Sequence, residues 1–340
     1  MNHDTLPLVS MVIPMRNEEK YIGRCLQSIT AQQYPQERIE VLVVDGMSTD
    51  SSRRIVNDVA RVARFPIQIV DNPRRITSRG LNLGIQRAQG EIIGITSAHS
   101  TLDPAFISEG VRLIQERNVE CASSPITSIG EGIVAQAIAL AMSHPFGVGD
   151  ARFRYSRREE MSDAAAFALY KREVFERLGG FKASMPDDSD SDFHYRLIES
   201  GGHILQSPKI KSHYYVRATM PSLFRQYFRY GMSKIVVMRR YPHRIKIRQI
   251  VPSLFVTGLL GSGLLGLFNK DARNLFRVIL GNYLLISLTT SASISAKSGW
   301  RYLPFLPVAF ACLHTSYGVG LLRAIAGWMI ANEKRELLED

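Results

Sequence analysis

The chain has 340 residues, 45% of them hydrophobic, with 42 Lys and Arg against 31 Asp and Glu and a formal net charge of +11, enough for two or three units with full cores. That charge suits nucleic acid, anionic lipid or phosphorylated substrates, but no RNA-binding signature or zinc-ligand spacing accompanies it, so no nucleic-acid partner is expected. Cys25, Cys121 and Cys312 lie far apart, which excludes a disulfide framework or a Cys-based metal site and points to a reducing compartment; Met-Asn-His-Asp-Thr at the start lacks a basic segment and apolar core, so no cleaved signal peptide is expected.

Leu8–Ile13 reads as a first strand that Pro14 ends. Asn17 can cap a helix whose apolar face is Tyr21, Ile22, Cys25, Leu26 and Ile29. By itself the loop Pro14-Met15-Arg16-Asn17-Glu18 is a helix start with an acid favoured by the dipole. Ile39–Asp45 is mostly β-branched and apolar, as in a strand buried on both faces of a parallel sheet. Asp45 and Gly46 fall where it ends, and Ser48, Asp50 and Ser51 offer caps for a helix through Ile55, Val56, Val59, Ala60 and Ala63. Ligands of open α/β sheets bind outside the carboxyl ends of strands, so Asp45 is expected at the lip of a pocket. Ile67–Val70 is a third strand, followed by Arg74, Arg75 and Arg79 at the start of a helix through Leu81, Ile85 and Ala88. Cations there suit a bound phosphate, although a solvated basic patch reads the same way. Glu91–Thr96 is a fourth strand. Alternating strands and helices through Ser124 predict a doubly wound, Rossmann-like half, while the absence of Gly-x-Gly-x-x-Gly counts against a dinucleotide dehydrogenase.

The fourth strand runs into Ser97-Ala98-His99, and Asp103-Pro104 caps the next helix. His99 is a hydrogen-bonded loop residue or, beside Asp45 and Glu18, a metal ligand. An apolar helix at Ile133–Met142, a loop at His144–Arg158 able to cover a pocket, a strand at Ser162–Tyr170 and a helix closed by Gly179-Gly180 follow. Asp187, Asp188, Asp190 and Asp192 then crowd the start of helix Phe193–Ser200. They form either an acidic first turn or a general base beside a metal–diphosphate site. Pro221 opens an amphipathic helix bearing Leu223, Phe224, Gln226, Tyr227, Phe228, Arg229 and Tyr230, compatible with a membrane-surface helix. Ile250–Phe268, Val278–Ala296 and Tyr302–Leu322 lack any charged side chain and are long enough to span a bilayer, the second and third less decisively because of Ser, Thr, Pro and His. Arg239, Arg240, His243, Arg244, Lys246 and Arg248 precede the first, which puts the preceding domain in the cytoplasm.

These motifs, in this order, resemble the family 2 glycosyltransferases of GT-A fold, an α/β Rossmann-like nucleotide-diphospho-sugar transferase architecture. Within that family they are most similar to the ExoA-type enzymes of succinoglycan and related exopolysaccharide synthesis. The resemblance implies a transferase domain over residues 1–240, with a nucleotide half to about 125 and an acceptor half after it. Residues 241–340 then form a membrane region of up to three helices. Pro14, Arg16 and Glu18 look like the family's opening nucleotide loop, Asp45 like its uracil-recognising acid, and Arg79 like the Arg of its Ala-Arg-Asn segment. Asp190 stands where a Glu-Asp pair supplies the base, with Asp188 and Asp192 as neighbours, and Gln226, Arg229 and Tyr230 resemble Gln-x-x-Arg-Trp.

The sequence departs from the family at two places. Ser97-Ala98-His99 replaces Asp-x-Asp, so the resemblance makes His99 the protein ligand of a divalent cation and leaves Ser97 for a ribose hydroxyl; imidazole suits Mn²⁺ better than Mg²⁺. Ser189 replaces the Glu of the Glu-Asp pair. The implied activity is an inverting transfer from a UDP-sugar, glucose in the first instance, to a lipid-linked saccharide at the cytoplasmic face of the inner membrane. Transfer onto a polyprenyl phosphate, or a non-catalytic UDP-sugar-binding scaffold among polysaccharide-assembly proteins, are the alternatives.

Overall fold

The computed structural model describes residues 6–183, 185 and 189–339, with side chains described to residue 330. The chain opens with β1 (Val9–Met15), α1 (Ile22–Thr30), β2 (Ile39–Asp45), α2 (Ser52–Ala60), β3 (Ile67–Asp71), α3 (Thr77–Arg87) and β4 (Ile92–Ile95). It continues through β5 (Ser100–Leu102), α4 (Phe106–Arg117), β6 (Cys121–Ser124), β7 (Ile126–Ile129), α5 (Ile133–Met142) and α6 (Pro145–Val148). Next come β8 (Glu160–Ser162), β9 (Phe167–Lys171), α7 (Arg172–Leu178), α8 (Ser189–Glu199), β10 (Ile204–Gln206) and β11 (Ser212–Tyr215). Four helices finish the chain: α9 (Met220–Arg240), α10 (Ile247–Leu265), α11 (Lys270–Ser298) and α12 (Leu306–Glu339).

Two compact units emerge, residues 1–127 with 152–215, and residues 128–151 with 216–340. Compactness thus groups 128–151 with the helical residues from 216 onward.

In the first unit, an eight-stranded sheet has the order β3-β2-β1-β4-β9-β6-β10-β8. The pairs β1/β2, β2/β3 and β1/β4 are parallel. Alternation along β1 and β2 explains why both faces are buried. Val9, Met11, Ile13, Val41 and Val43 point into one core with α1 and α4; Val12, Leu42 and Val44 point into the other with α3, α7 and α8. Gly84 lets α3 press directly on that second face, since a Cβ there would lie 2.4 Å from Val12 Cγ1.

The main-sheet strands through Ser124 run parallel, as expected, and the sheet becomes mixed through the later β9, which runs antiparallel to both β4 and β6. Its residues are apolar on both faces, Leu169 in one core and Ala168 and Tyr170 in the other, and that pattern carries no direction. Pro14 lies inside β1 rather than ending it. β4 pairs with β1 only as far as Val12, so position 14 has no strand on that side to which an N–H would donate.

The second unit holds three helices long and apolar enough to cross a membrane, Ile247–Leu265, Lys270–Ser298 and Leu306–Ile330. α9 and α12 meet backbone to backbone, for a Cβ on Gly231 would lie 2.2 Å from the Tyr317 carbonyl and one on Gly320 equally close to that of Phe228. Small residues allow this approach where lipid supplies no hydrophobic drive between helices. One polar group of the bundle is doubly satisfied: His314 Nε2 donates to the Phe146 carbonyl (2.8 Å) and its Nδ1 accepts from Tyr283 Oη (2.9 Å). Arg248 reaches Asp150 at 2.5 Å.

Candidate nucleotide-sugar site

The strand order reverses at β1 and β4, and the loops leaving those strands therefore open a crevice at their carboxyl ends. Asn17, Met47 and Arg75, which follow β1, β2 and β3, all adopt left-handed backbone conformations, with φ of 54°, 60° and 57°. Such conformations cost a non-glycine residue of order 1 kcal/mol or more and persist where the surroundings fix them. Here the fixing is visible. Asn17 N–H donates to Ser48 Oγ (2.9 Å), Thr49 N–H to Asn17 Oδ1 (2.9 Å), and Glu18 N–H to Ser52 Oγ (2.8 Å). Asp50 accepts from Glu19 N–H (3.1 Å) and Ser52 N–H (3.0 Å). Burial alone would raise its pKa, but these bonds outweigh burial and hold it below the ordinary carboxylate value.

Asp45 does not sit open at a lip. It is fully buried, accepts from Ser48 N–H (3.1 Å) and Ser48 Oγ (2.5 Å), and meets Arg53 Nη1 at 2.7 Å. The same guanidinium nitrogen lies 2.6 Å from Asp71 Oδ1, so Arg53 ties the ends of β2 and β3 together. Arg53 and Asp71 escaped the sequence reading. A cation in the first turn of α2, where the dipole disfavours it, was the available signal. Arg16, Arg74, Arg75 and Arg79 stand exposed around this rim.

Across the crevice, His99 Nδ1 lies 2.8 Å from Glu18 Oε1, both side chains about one-fifth exposed. The ring also meets the edge of Tyr214 at 5.2 Å, and Tyr215 N–H donates to the His99 carbonyl (3.0 Å). Ser97 Oγ is buried without a hydrogen-bond partner among the described residues. Cys25, whose Sγ lies 3.5 Å from the Ser97 carbonyl, is no nucleophile, because burial pushes its thiol up to about 12.

Of the acidic run, Asp187 and Asp188 lie outside the described residues. Asp190 is exposed on the first turn of α8 and accepts from Ser191 N–H (2.8 Å). Asp192 is completely buried and paired with Arg196 Nε at 2.9 Å. Arg196 further donates to the carbonyls of Leu178 (2.6 Å) and Gly180 (2.7 Å), so this pair holds the α7–α8 connection. Gln226, Arg229 and Tyr230 belong to α9 in the second unit, where Gln226 Nε2 donates to Tyr230 Oη (3.0 Å) and Arg229 is exposed.

Among the described residues no three His, Cys, Asp or Glu side chains gather as a metal cluster. The donor set still fits a cation held jointly with a ligand. A neutral imidazole whose Nδ1–H is bound to a carboxylate presents an unprotonated Nε2, the usual disposition of a metal-ligating histidine.

A mixed sheet with a parallel nucleotide-binding half and a rim of this kind is that of a GT-A-type glycosyltransferase. Residues 10–179, half of the chain, match the Glycosyl transferase family 2 profile, and the chain belongs to that family. It is 26% identical over 333 residues to the succinoglycan biosynthesis protein ExoA of Rhizobium meliloti (strain 1021), covering 96% of this chain and 98% of that protein. It is 28% identical over 239 residues, 68% of this chain and 74% of the other, to a Methanococcus voltae dolichyl N-acetyl-α-D-glucosaminyl phosphate 3-β-D-2,3-diacetamido-2,3-dideoxy-β-D-glucuronosyltransferase. Among solved structures, the mannosyltransferase PcManGT of Pyrobaculum calidifontis, in complex with GDP-Man and Mn²⁺, superposes with a TM-score of 0.58 at 20% identity, over 93% of this chain and 88% of that one. The chain is thus a family 2 glycosyltransferase of GT-A fold whose described residues include three helices long and apolar enough to cross a membrane.

Proposed function

We propose that this enzyme transfers a sugar, with inversion, from a UDP-sugar to a lipid-linked saccharide during exopolysaccharide assembly, with UDP-glucose as the first donor to test. The observation that carries this reading is the convergence of the β1, β2 and β4 loops on one crevice, closed by the Glu18–His99 contact. ExoA, similar over nearly the whole chain, supports the polysaccharide assignment, and the M. voltae enzyme supports a lipid-linked acceptor. Orientation follows from charge: no Asp or Glu occurs between Glu199 and Asp271, while Arg239, Arg240, Arg244, Lys246 and Arg248 stand before the first span. That imbalance favours a cytoplasmic active site on the inner membrane.

In this mechanism Pro14, Arg16 and Arg79 border the nucleotide, with Asp45 acting through Arg53 and Ser48 to set the floor beneath the base. Ser97 Oγ, buried and unsatisfied, is the group a ribose hydroxyl would satisfy. His99 holds the divalent cation, Mn²⁺ in preference to Mg²⁺, which when bound neutralises the diphosphate. Asp190 takes the proton of the acceptor hydroxyl as its oxygen attacks the anomeric carbon and the bond to UDP breaks.

The test is nucleotide release by the purified full chain in detergent, over a panel of UDP- and GDP-sugars with Mn²⁺ and a lipid-linked saccharide extract. UDP release that depends on the lipid fraction, with sugar appearing on the lipid-linked oligosaccharide, is the anticipated result. GDP release alone would overturn the donor, and a product consisting of sugar on bare polyprenyl phosphate would overturn the acceptor.

A further inference from the structure

The family resemblance puts Glu18 among the nucleotide contacts, yet its carboxylate is spent elsewhere. Oε1 faces His99 Nδ1 at 2.8 Å, although the two residues are 81 positions apart. A carboxylate only accepts hydrogen bonds, so Nδ1 must carry the hydrogen of that contact. The second nitrogen of the neutral ring, Nε2, is then left with its lone pair. A histidine in the opposite tautomer would place N–H where a cation needs a donor atom.

Glu18 is in turn fixed from below. Its N–H donates to the buried Ser52 Oγ (2.8 Å), and its carbonyl accepts from Tyr21 and Ile22 N–H (2.9 Å each) as α1 begins. His99 is steadied on another side by Tyr214 and through its own carbonyl by Tyr215. The β2 loop therefore sets the β1 loop, and the β1 loop sets the imidazole.

The geometry points to Glu18 as a positioning residue: it fixes the tautomer and rotation of His99 so that Nε2 faces a divalent cation, and it does not bind the nucleotide. This rests on the reading of His99 as the cation's ligand. Carboxylates behind metal-bound histidines typically change metal affinity 10–100-fold when removed.

The test uses the full chain in detergent with UDP and titrates Mn²⁺, reading the free-ion electron paramagnetic resonance signal. UDP affinity without metal is measured in parallel by calorimetry. Glu18→Ala should weaken Mn²⁺ binding by about 10–100-fold. Glu18→Gln, which keeps an amide oxygen as acceptor without the charge, should fall between it and the native chain. Metal-free UDP affinity should stay unchanged in both. In a His99→Asp background, which supplies its own oxygen ligand, adding Glu18→Ala should no longer weaken Mn²⁺ binding.

The failures are distinguishable. If His99→Ala binds Mn²⁺ as well as the native chain, the reading of His99 as ligand is wrong. If His99→Ala loses Mn²⁺ but Glu18→Ala does not, the ligand stands and the positioning role is refuted. Loss of metal-free UDP affinity in Glu18→Gln would return Glu18 to the nucleotide contacts and also overturn the proposal.

Discussion

Two aspartates two residues apart on α8 make opposite demands on a mutational experiment. Asp192 is completely buried, and Arg196, only 16% exposed at its side chain, is its counter-charge at 2.9 Å. Asp192→Ala removes a charge-assisted hydrogen bond, worth about 1.5–3 kcal/mol, and leaves a largely desolvated guanidinium with only two carbonyls. Breaking one side of a buried pair costs about 3–5 kcal/mol in general. Retention of the Leu178 and Gly180 carbonyls places this case near the lower end, at roughly 3 kcal/mol. Asp190 is exposed, and its contribution to the fold is confined to the first turn of α8, where a carboxylate typically gains about 0.3–1 kcal/mol from the dipole. Asp190→Asn should therefore leave the urea midpoint nearly in place while turnover falls by about 10²–10⁴-fold, the usual worth of a general base. Both variants need the same two assays, urea unfolding followed by far-ultraviolet circular dichroism and UDP release at saturating donor. The reasoning fails if Asp192→Ala unfolds at the native midpoint, and the base assignment fails if Asp190→Asn turns over like the native enzyme.

Further consequences follow from the core and the rim. His194 is buried with Nε2 2.8 Å from Tyr170 Oη, and burial lowers its pKa from 6.5 to about 4. The unfolded chain then binds more protons between those values, so the neutral form's contribution is intact above pH 6.5 and is lost as pH falls towards 4. Urea midpoints at pH 7.5 and 4.5 should diverge less for His194→Gln than for the native chain, by up to roughly 3 kcal/mol; equal pH slopes would contradict the assignment. Gly84→Val would drive side-chain carbons into Val12 and Val44 and should destabilise by about 1–3 kcal/mol, read as a lowered Tm. Arg53→Ala strips Asp45 of its cation, and because Arg53 is 41% exposed the loss should be only about 1–2 kcal/mol, with a larger fall in UDP affinity measured by calorimetry.

Most of the first half of the fold is legible in local patterns. Ile39–Asp45 announces a strand buried on both faces because every residue but Glu40 is apolar up to Asp45 at its end, and Ile133–Met142 is a helix with the boundaries its composition suggests. What the sequence conceals is partnership over distance. β9 reads as a strand, but its antiparallel insertion between β4 and β6 depends on where the chain returns. Asp45 reads as an acid at the lip of a pocket, and the local pattern does not reveal that Arg53 and Ser48 close over it. Asp190 and Asp192 on α8 likewise look interchangeable until Arg196, four residues on, claims Asp192.

The replacement of an acid by His99 has a further physical consequence for Glu18. Had position 99 kept a carboxylate, two like charges would face each other across the Glu18 contact. At a separation of 4 Å that repulsion is about 4 kcal/mol for an effective dielectric constant near 20. Such a pair would need a bound cation or a shared proton to persist. An imidazole changes the sign of the problem: the same Glu18 becomes a hydrogen-bond partner whether or not a cation is present. The rim is then already in its binding geometry before the donor arrives, and binding need not first order the histidine. His99→Asp should accordingly make Mn²⁺ binding more dependent on UDP, since residue 99 would no longer be ordered by Glu18 before the donor arrives. Mn²⁺ titrations with and without UDP measure that coupling, and an equal coupling in His99→Asp and the native chain would show that Glu18 and residue 99 do not act as a pair.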